Sequence, residues 1–436
     1  MRRLAEKNIL DWKNSSRRKP LIIRGARQVG KTWLVEKFLA KKFDNFVKID
    51  LEQQRSLHKA FQNDLDPLKI LETIELTAGR IIPGKTLLFI DEIQACPRAI
   101  MALRYFYEQI PELHVVAAGS LLEFAFGEIS IPVGRVQYLH LNPMTFYEYL
   151  LAIDKETMAE KTLTPQNASE LTNEMIFEEL KQYFFIGGMP ECVKVYRDTH
   201  SKIEAFKVQS EIITAYKQDF AKYKPSVNIE CLEAVFQQVA ISTGEQIKYS
   251  RLCDEFSGPT NRKAIDLLFK ARLLNKIPAC DPSGLPLGAS ANGKKFKTSM
   301  LDIGLLQRLC EVRVDIEIAG NDLLSIYKGK LAEQFVAQEM IAWHNHQLHY
   351  WSRNSKSSNA EIDYLTTKDG IIYPIEIKAG KSGKLRSLHS MLDIYSNCPQ
   401  GWVVSNRKYH ELPEQKLVFW PLYATPLLGD RSLLSP

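Results

Sequence analysis

Residues Gly25-Ala26-Arg27-Gln28-Val29-Gly30-Lys31-Thr32 fill the pattern GxxxxGK[ST] without interruption. Few eight-residue strings restrict a fold so strongly. Such a loop works only between a strand and a helix, because its backbone N–H groups must wrap an anion while the helix aims its positive end at it. Both flanks are present: Leu21-Ile22-Ile23 reads as a buried strand and 32–42 as a helix. In that setting Lys31 is expected to contact β- and γ-phosphates, and Thr32 to ligate Mg²⁺ through its hydroxyl. A chance glycine turn would require neither flank.

The pattern then alternates: strand 46–51, helix 67–79, strand 86–90, helix 97–110, strand 113–118, strand 135–141 and, past Asn142-Pro143, helix 144–152. Alternation of this kind predicts a parallel α/β sheet. Leu87-Leu88-Phe89-Ile90 ends in Asp91-Glu92, the form of a Walker B segment. Asp91 is expected to hold hydrated magnesium and Glu92 to polarise the attacking water. Ser120, after the strand 113–118 and Gly119, would lie at the same carboxyl edge as a γ-phosphate sensor. Otherwise it is an ordinary turn residue. Arg135 is a candidate arginine finger, in cis or across a subunit interface, set against the plainer reading of a solvated charge at a strand end.

At 436 residues the chain is long enough for two or three domains, and 45% hydrophobic with 25% charged residues excludes wholesale disorder. The net charge of +6 is compatible with a nucleic-acid partner without requiring one. Seven scattered cysteines, with no Cys-x-x-Cys pair, indicate neither a disulfide framework nor a zinc ribbon. The charged start Met1-Arg2-Arg3 is no signal core, and no apolar stretch reaches the roughly 18 residues that span a bilayer. A cytoplasmic protein without a membrane partner is expected.

The strings GARQVGKT, LLFIDEIQ, AAGSLLE, GR followed by LNPMTFYEYL, and GGMPECV make the chain similar to AAA+-like P-loop ATPases. More narrowly, it resembles a prokaryotic group that joins such an ATPase to a C-terminal domain of unknown function. The resemblance implies ATP binding.

The polar stretch 154–172 reads as a surface excursion, followed by helices at 173–186, 203–222 and 229–241. A short helix to Phe256, a helix over 260–272 and strands at 274–279 and 294–298 have the layout of a winged helix. Arg251, Arg262, Lys263, Lys270, Arg272, Lys276, Lys294, Lys295 and Lys297 would give it a DNA-facing side. The plainer alternative is a packing module with a solvated basic face, since Ile265, Leu268, Phe269 and Leu273 form a core stripe.

From 327 onward the chain resembles the PD-(D/E)xK nuclease superfamily, through Glu333 on a helix from Tyr327 to His344, Asp363 on a strand, and Glu376-Ile377-Lys378 on the next. The three acids would hold Mg²⁺ or Mn²⁺, and Lys378 would stabilise charge. Asp369-Gly370 is a favoured two-residue hairpin turn. It sets Asp363 opposite Glu376 and Glu361 opposite Lys378, all on one face, with Ile362, Tyr364, Ile375 and Ile377 on the other. Alternatively the hairpin is a surface element with a Glu–Lys ion pair, or a degenerate nuclease fold. His344, His346 and His349 cluster at the helix end but lack convincing zinc spacing.

The expected fold is therefore α/β: an AAA+-like P-loop domain with a helical extension over 1–200, a helical and winged-helix segment over 201–312, and a restriction-endonuclease-like α/β domain over 313–436. The expected function is a Mg²⁺-dependent ATPase acting on DNA through a nuclease-like module, possible as a homo-oligomer. The alternative is an ATP-controlled regulatory, scaffolding or DNA-binding protein whose nuclease-like domain is inactive.

Overall fold

The computed structural model describes residues 1–62, 64–120, 122–125, 134–221, 228–311, 329–344, 348–354, 359–378 and 385–429. His346 and Tyr327 lie outside them. Two compact units form, Met1–Asn142 with Lys270–Arg272, and Pro143–Phe269 with Leu273–Pro436.

In the first unit, β1 (Leu21–Arg24), β2 (Asn45–Asp50), β3 (Thr86–Asp91), β4 (His114–Ala118) and β5 (Gln137–His140) form a sheet in the order β2-β3-β4-β1-β5. Every neighbouring pair is parallel. The strands β3 and β4 are buried along their whole length, as strands covered on both faces must be, whereas β2 and β5 at the edges carry partly exposed residues. Helices Pro67–Ala78 and Pro97–Gln109 each open with proline, whose absent N–H costs nothing in a first turn. Their Ile70, Ile74, Ile100 and Leu103 pack with Ile22, Leu88, Ile90 and Val115 of the sheet. Because the strands point one way, the loops after β1, β3 and β4 emerge at one edge.

The second unit starts with helices and ends in a sheet. The 154–172 stretch is more ordered than its polar composition predicts. Helix Glu156–Thr162 buries Ala159 and Thr162, and helix Glu170–Ile186 begins three residues earlier than expected, capped by Ser169. Its end, Gly187-Gly188, is a packing joint. A Cβ on Gly188 would sit 2.0 Å from the Met144 carbonyl oxygen, and one on Gly187 would sit 2.2 Å from Asp302 Oδ1. The Gly188 N–H donates to Asp302 Oδ2 at 2.6 Å, and Asp302 Oδ1 also caps the helix Ile303–Leu309 through Gly304 and Leu305. The GGMP string thus carries tertiary packing, with buried Asp302 as a partner that local pattern does not reveal.

Helix Ile229–Ile241, helix Gly258–Lys270 and an antiparallel hairpin of β6 (Leu274–Ala279) and β7 (Asn292–Met300) follow in the expected order. The hairpin is not a free wing, however. Ala279 bridges Tyr350 of β8 (His349–Asn354), which makes β6 and β7 the edge of an eight-stranded sheet. The remaining strands are β9 (Asn359–Lys368), β10 (Ile371–Lys378), β11 (Gly401–Ser405), β12 (His410–Leu412) and β13 (Leu417–Pro421), in the order β12-β13-β11-β10-β9-β8-β6-β7. One face is packed by helix Arg386–Ile394 through Leu388 and Met391.

Candidate functional sites

The first site lies at the carboxyl edge of the parallel sheet. Gly25 has no room for a side chain, since a Cβ would meet the Leu141 carbonyl oxygen at 2.2 Å. The loop is fastened from outside the motif by buried Arg3, which donates to the Val29 carbonyl at 2.8 Å and the Asn142 carbonyl at 2.6 Å. Lys31 is buried, and its ammonium donates to the carbonyls of Gly25 and Ala26 at 3.0 and 2.7 Å. Burial lowers its pKa to about 8, partly offset by the charges of Glu92 and Asp91.

Thr32 Oγ1 donates to Asp91 Oδ2 at 3.1 Å, joining the two residues expected around magnesium. Lys48 Nζ lies 3.1 Å from the same oxygen and 2.8 Å from Glu36. Its partners raise its pKa despite the opposing effect of burial. Glu92 has a left-handed backbone at φ 46°, a sparsely populated region for a side-chain-bearing residue. Gln94 Nε2 donates to Glu92 Oε2 at 2.5 Å, and a Cβ on Gly119 would meet Gln94 Oε1 at 2.1 Å. Ser120 is buried and its hydroxyl accepts from Arg27 Nε at 3.2 Å, so a motif residue and the expected sensor meet directly.

Arg135 is elsewhere. Gln137 pairs with Leu21, so the start of β5 lies at the amino edge, away from the loop after β1. There the Arg135 Nε donates to Glu108 at 2.9 Å. The finger in cis is therefore excluded by strand direction.

The second site lies in the eight-stranded sheet. Asp369 and Gly370 both take positive φ, at 51° and 73°, as the expected two-residue turn requires. The register from that turn holds through Tyr364–Ile375 and the β9–β10 ladder ends there. Against β8, two residues of β9 (Asp363 and Tyr364) stand between the pairs His349–Leu365 and Trp351–Ile362. This is a β-bulge, and it breaks the alternation on which the expected faces rested. Asp363 Oδ2 accepts from the Ile377 N–H at 2.7 Å, occupying the space where the ladder would continue. Tyr364 is not across the sheet from the acids: its hydroxyl donates to the Glu333 carbonyl at 3.1 Å.

Glu333, Glu361, Asp363 and Glu376 are close enough to influence one another. Burial raises the pKa of Glu333, with Asp363 adding to it, and raises that of Glu376, again with Asp363 adding. Asp363 is also raised by burial, against the pull of Lys297 and the Ile377 N–H. Lys378 Nζ lies 2.7 Å from Glu376 Oε1. The Oε2 atoms of Glu333 and Glu376 are buried and accept no hydrogen bond among the described residues.

Lys297 is the residue that sequence reasoning misassigned. Counted with the DNA-facing lysines of the wing, its side chain is only 2% exposed, with Nζ 2.5 Å from Glu361 Oε1 and 3.8 Å from Glu333 Oε2. Nothing in the local string KKFKTSM separates it from Lys294 or Lys295. Among the described residues no three His, Cys, Asp or Glu side chains group closely enough to hold a metal ion. As they stand, Glu333 and Glu361 face Lys297, Glu376 is paired to Lys378 and Asp363 accepts from the Ile377 N–H, and the arrangement does not fit an expected metal shell. His344 and His349 line a cavity of about 610 Å³ with Met340, Leu348 and Leu365.

Residues 17–150 match the family model described as an AAA domain. With the strand order and the loop geometry, the N-terminal unit is an AAA-type P-loop ATPase domain. Residues 177–315 and 328–424 match two models, each described as a domain of unknown function (DUF8612 and DUF4143). No curated protein matches the sequence. Among solved structures, the chain is similar to a Walker-type ATPase of Pyrococcus abyssi at 14% identity and a TM-score of 0.43, over 70% of this chain and 94% of that one. A Drosophila ORC structure bound to DNA is similar at 13% identity and 0.27, covering 73% and 95%. Cdc6p from Pyrobaculum aerophilum follows at 13% and 0.23, covering 71% and 93%. Likeness at this level says nothing of function. Among the described residues no helix is long and apolar enough to cross a membrane.

Proposed function

We propose that the chain hydrolyses ATP in a Mg²⁺-dependent reaction and uses it to control a nucleic-acid-directed C-terminal module. The observation that carries the ATPase reading is the buried Lys31 ammonium, held against Gly25 and Ala26 of its own loop and beside the Thr32–Asp91 pair. Thr32 and Asp91 would hold the Mg²⁺ that arrives with ATP, and that ion would neutralise phosphate charge. Lys31 exchanges the carbonyls for phosphate oxygens. Glu92, released from Gln94, orients the attacking water and takes its proton, while Ser120 and Arg27 face the γ-phosphate end. Steady-state turnover of Mg·ATP tests this: Lys31→Ala is expected to lose both binding and turnover, and equal turnover would overturn it.

DNA is the proposed partner because helix Gly258–Lys270 buries Ala264, Ile265 and Leu268 and exposes Arg262, Lys263 and Lys270. Duplex binding should weaken steeply with salt, and Arg262→Glu with Lys263→Glu should reduce it. Binding unchanged by that pair would remove the helix from the interface. We also propose a nuclease-like identity for the C-terminal sheet, with limited proteolysis to test working modules at 1–200, 201–312 and 313–436. A second reading, ATP-controlled regulation without cleavage, is favoured by Lys297, which neutralises acids that metal-dependent chemistry would need. DNA cleavage abolished by Asp363→Ala would select the nuclease reading.

A further inference from the structure

The acidic cluster holds four carboxylates, Glu333, Glu361, Asp363 and Glu376, and two ammonium groups, Lys297 and Lys378. The two lysines differ in origin. Lys378 belongs to the same strand as Glu376 and keeps 28% of its side-chain surface in solvent. Lys297 arrives from β7, in the segment that precedes the acids, and is buried between Glu361, Glu333 and the Tyr350 ring, 5.1 Å from its centroid. Glu333 is further enclosed by Gly244, where a Cβ would come within 2.8 Å of Oε2. Removing an ammonium from water is costly unless opposite charges compensate it. Here Glu333, Asp363 and Glu361 do so, holding the Lys297 pKa above the ordinary range despite burial.

Two observations point beyond a structural ion pair. Among the described residues, the Oε2 atoms of Glu333 and Glu376 remain buried without a hydrogen bond, the former with Lys297 Nζ at 3.8 Å, although each is an acceptor at this cluster. The hairpin that delivers Lys297 is joined to β8, among the described residues, by one bridge, Ala279–Tyr350, supported by the Cys280 N–H donating to the Tyr350 carbonyl at 2.9 Å. All the other neighbouring strands of the sheet share three or more pairs. The cation thus sits on the strands with the fewest pairs to the rest of the sheet, and β7 is held instead from outside it, by Gln334 on both backbone groups of Met300 at 2.8 and 2.9 Å and by the Ile247 N–H on the Phe296 carbonyl at 2.9 Å.

We infer that Lys297 is a built-in counter-cation that keeps the acidic cluster closed to divalent metal, and that the cluster becomes a Mg²⁺ or Mn²⁺ site when Lys297 is withdrawn. The inference rests on the nuclease-like reading of the sheet. It explains why acids with the expected spacing do not converge as a metal shell: a metal needs carboxylate oxygens at about 2.0–2.1 Å, and a lysine holds two of the four acids away.

Mn²⁺ binding by electron paramagnetic resonance, on the full chain without nucleotide, tests it. The ion counted is the one that Asp363→Ala removes, which sets aside any bound near Asp91. Lys297→Met should bind this ion at least about tenfold more tightly than wild type. The double variant Lys297→Met, Glu361→Gln removes both members of the pair and should do the same if the single variant folds poorly, with thermal melting as the control. Wild type binding as tightly as either folded variant overturns the inference and leaves the nuclease-like reading standing. No Asp363-dependent Mn²⁺ in any folded variant overturns both.

Discussion

Lys31 donates to the carbonyl of Ala26 at 2.7 Å, within the loop it is expected to serve. The side chain is therefore stored close to its working position, in surroundings that make its charge costly. Its pKa of about 8 means that half the nucleotide-free protein has a neutral Lys31 near that pH. ATP favours the ammonium. Affinity should then fall as pH rises through about 8, approaching tenfold per pH unit above it. Calorimetry in buffers of different ionisation enthalpy should show proton uptake on binding near pH 8. A pH-independent affinity between about 7 and 9 would remove Lys31 from phosphate contact.

Glu92 is held by Gln94 and by an unusual backbone angle, not by the phosphates. Glu92→Gln should keep ATP affinity within about twofold while kcat falls by roughly 10²–10³. Turnover equal to wild type would show that another group handles the water.

With Arg135 at the amino edge, a finger role would require a neighbouring subunit. Specific activity should rise with protein concentration, and Arg135→Ala should abolish that rise without changing ATP affinity. Mixing Arg135→Ala with Lys31→Ala should restore part of it. An unchanged kcat for Arg135→Ala at saturating ATP would assign the residue to its ion pair with Glu108.

Asp302 satisfies three backbone N–H groups at a fully buried position. Asp302→Ala should cost about 2–4 kcal/mol in denaturant unfolding, because those donors lose their acceptor. Burial raises its pKa from 3.8 to about 6. The native state therefore holds a proton that the unfolded state releases, so this contribution is full below pH 3.8 and lost as pH rises past about 6. Asp302→Asn should flatten the wild-type stability slope across that window.

The sequence by itself determined whatever depends on neighbours along the chain: the P-loop between its strand and helix, the acids ending β3, the Asp369-Gly370 turn and the register next to it. These are local because a turn or a phosphate cradle is made by contiguous residues, so their chemistry is written in one string. Only the tertiary structure decided which edge of the sheet Arg135 occupies, that Arg3 fastens the P-loop, that Asp302 holds Gly188, and that a bulge at Asp363 replaces a regular pair. Lys297 shows the reason most clearly. Its string is that of a solvated basic strand, and it became a buried counter-cation because the tertiary fold brings its ammonium against carboxylates from a helix and a strand far along the chain, where a desolvated ammonium has its strongest partners.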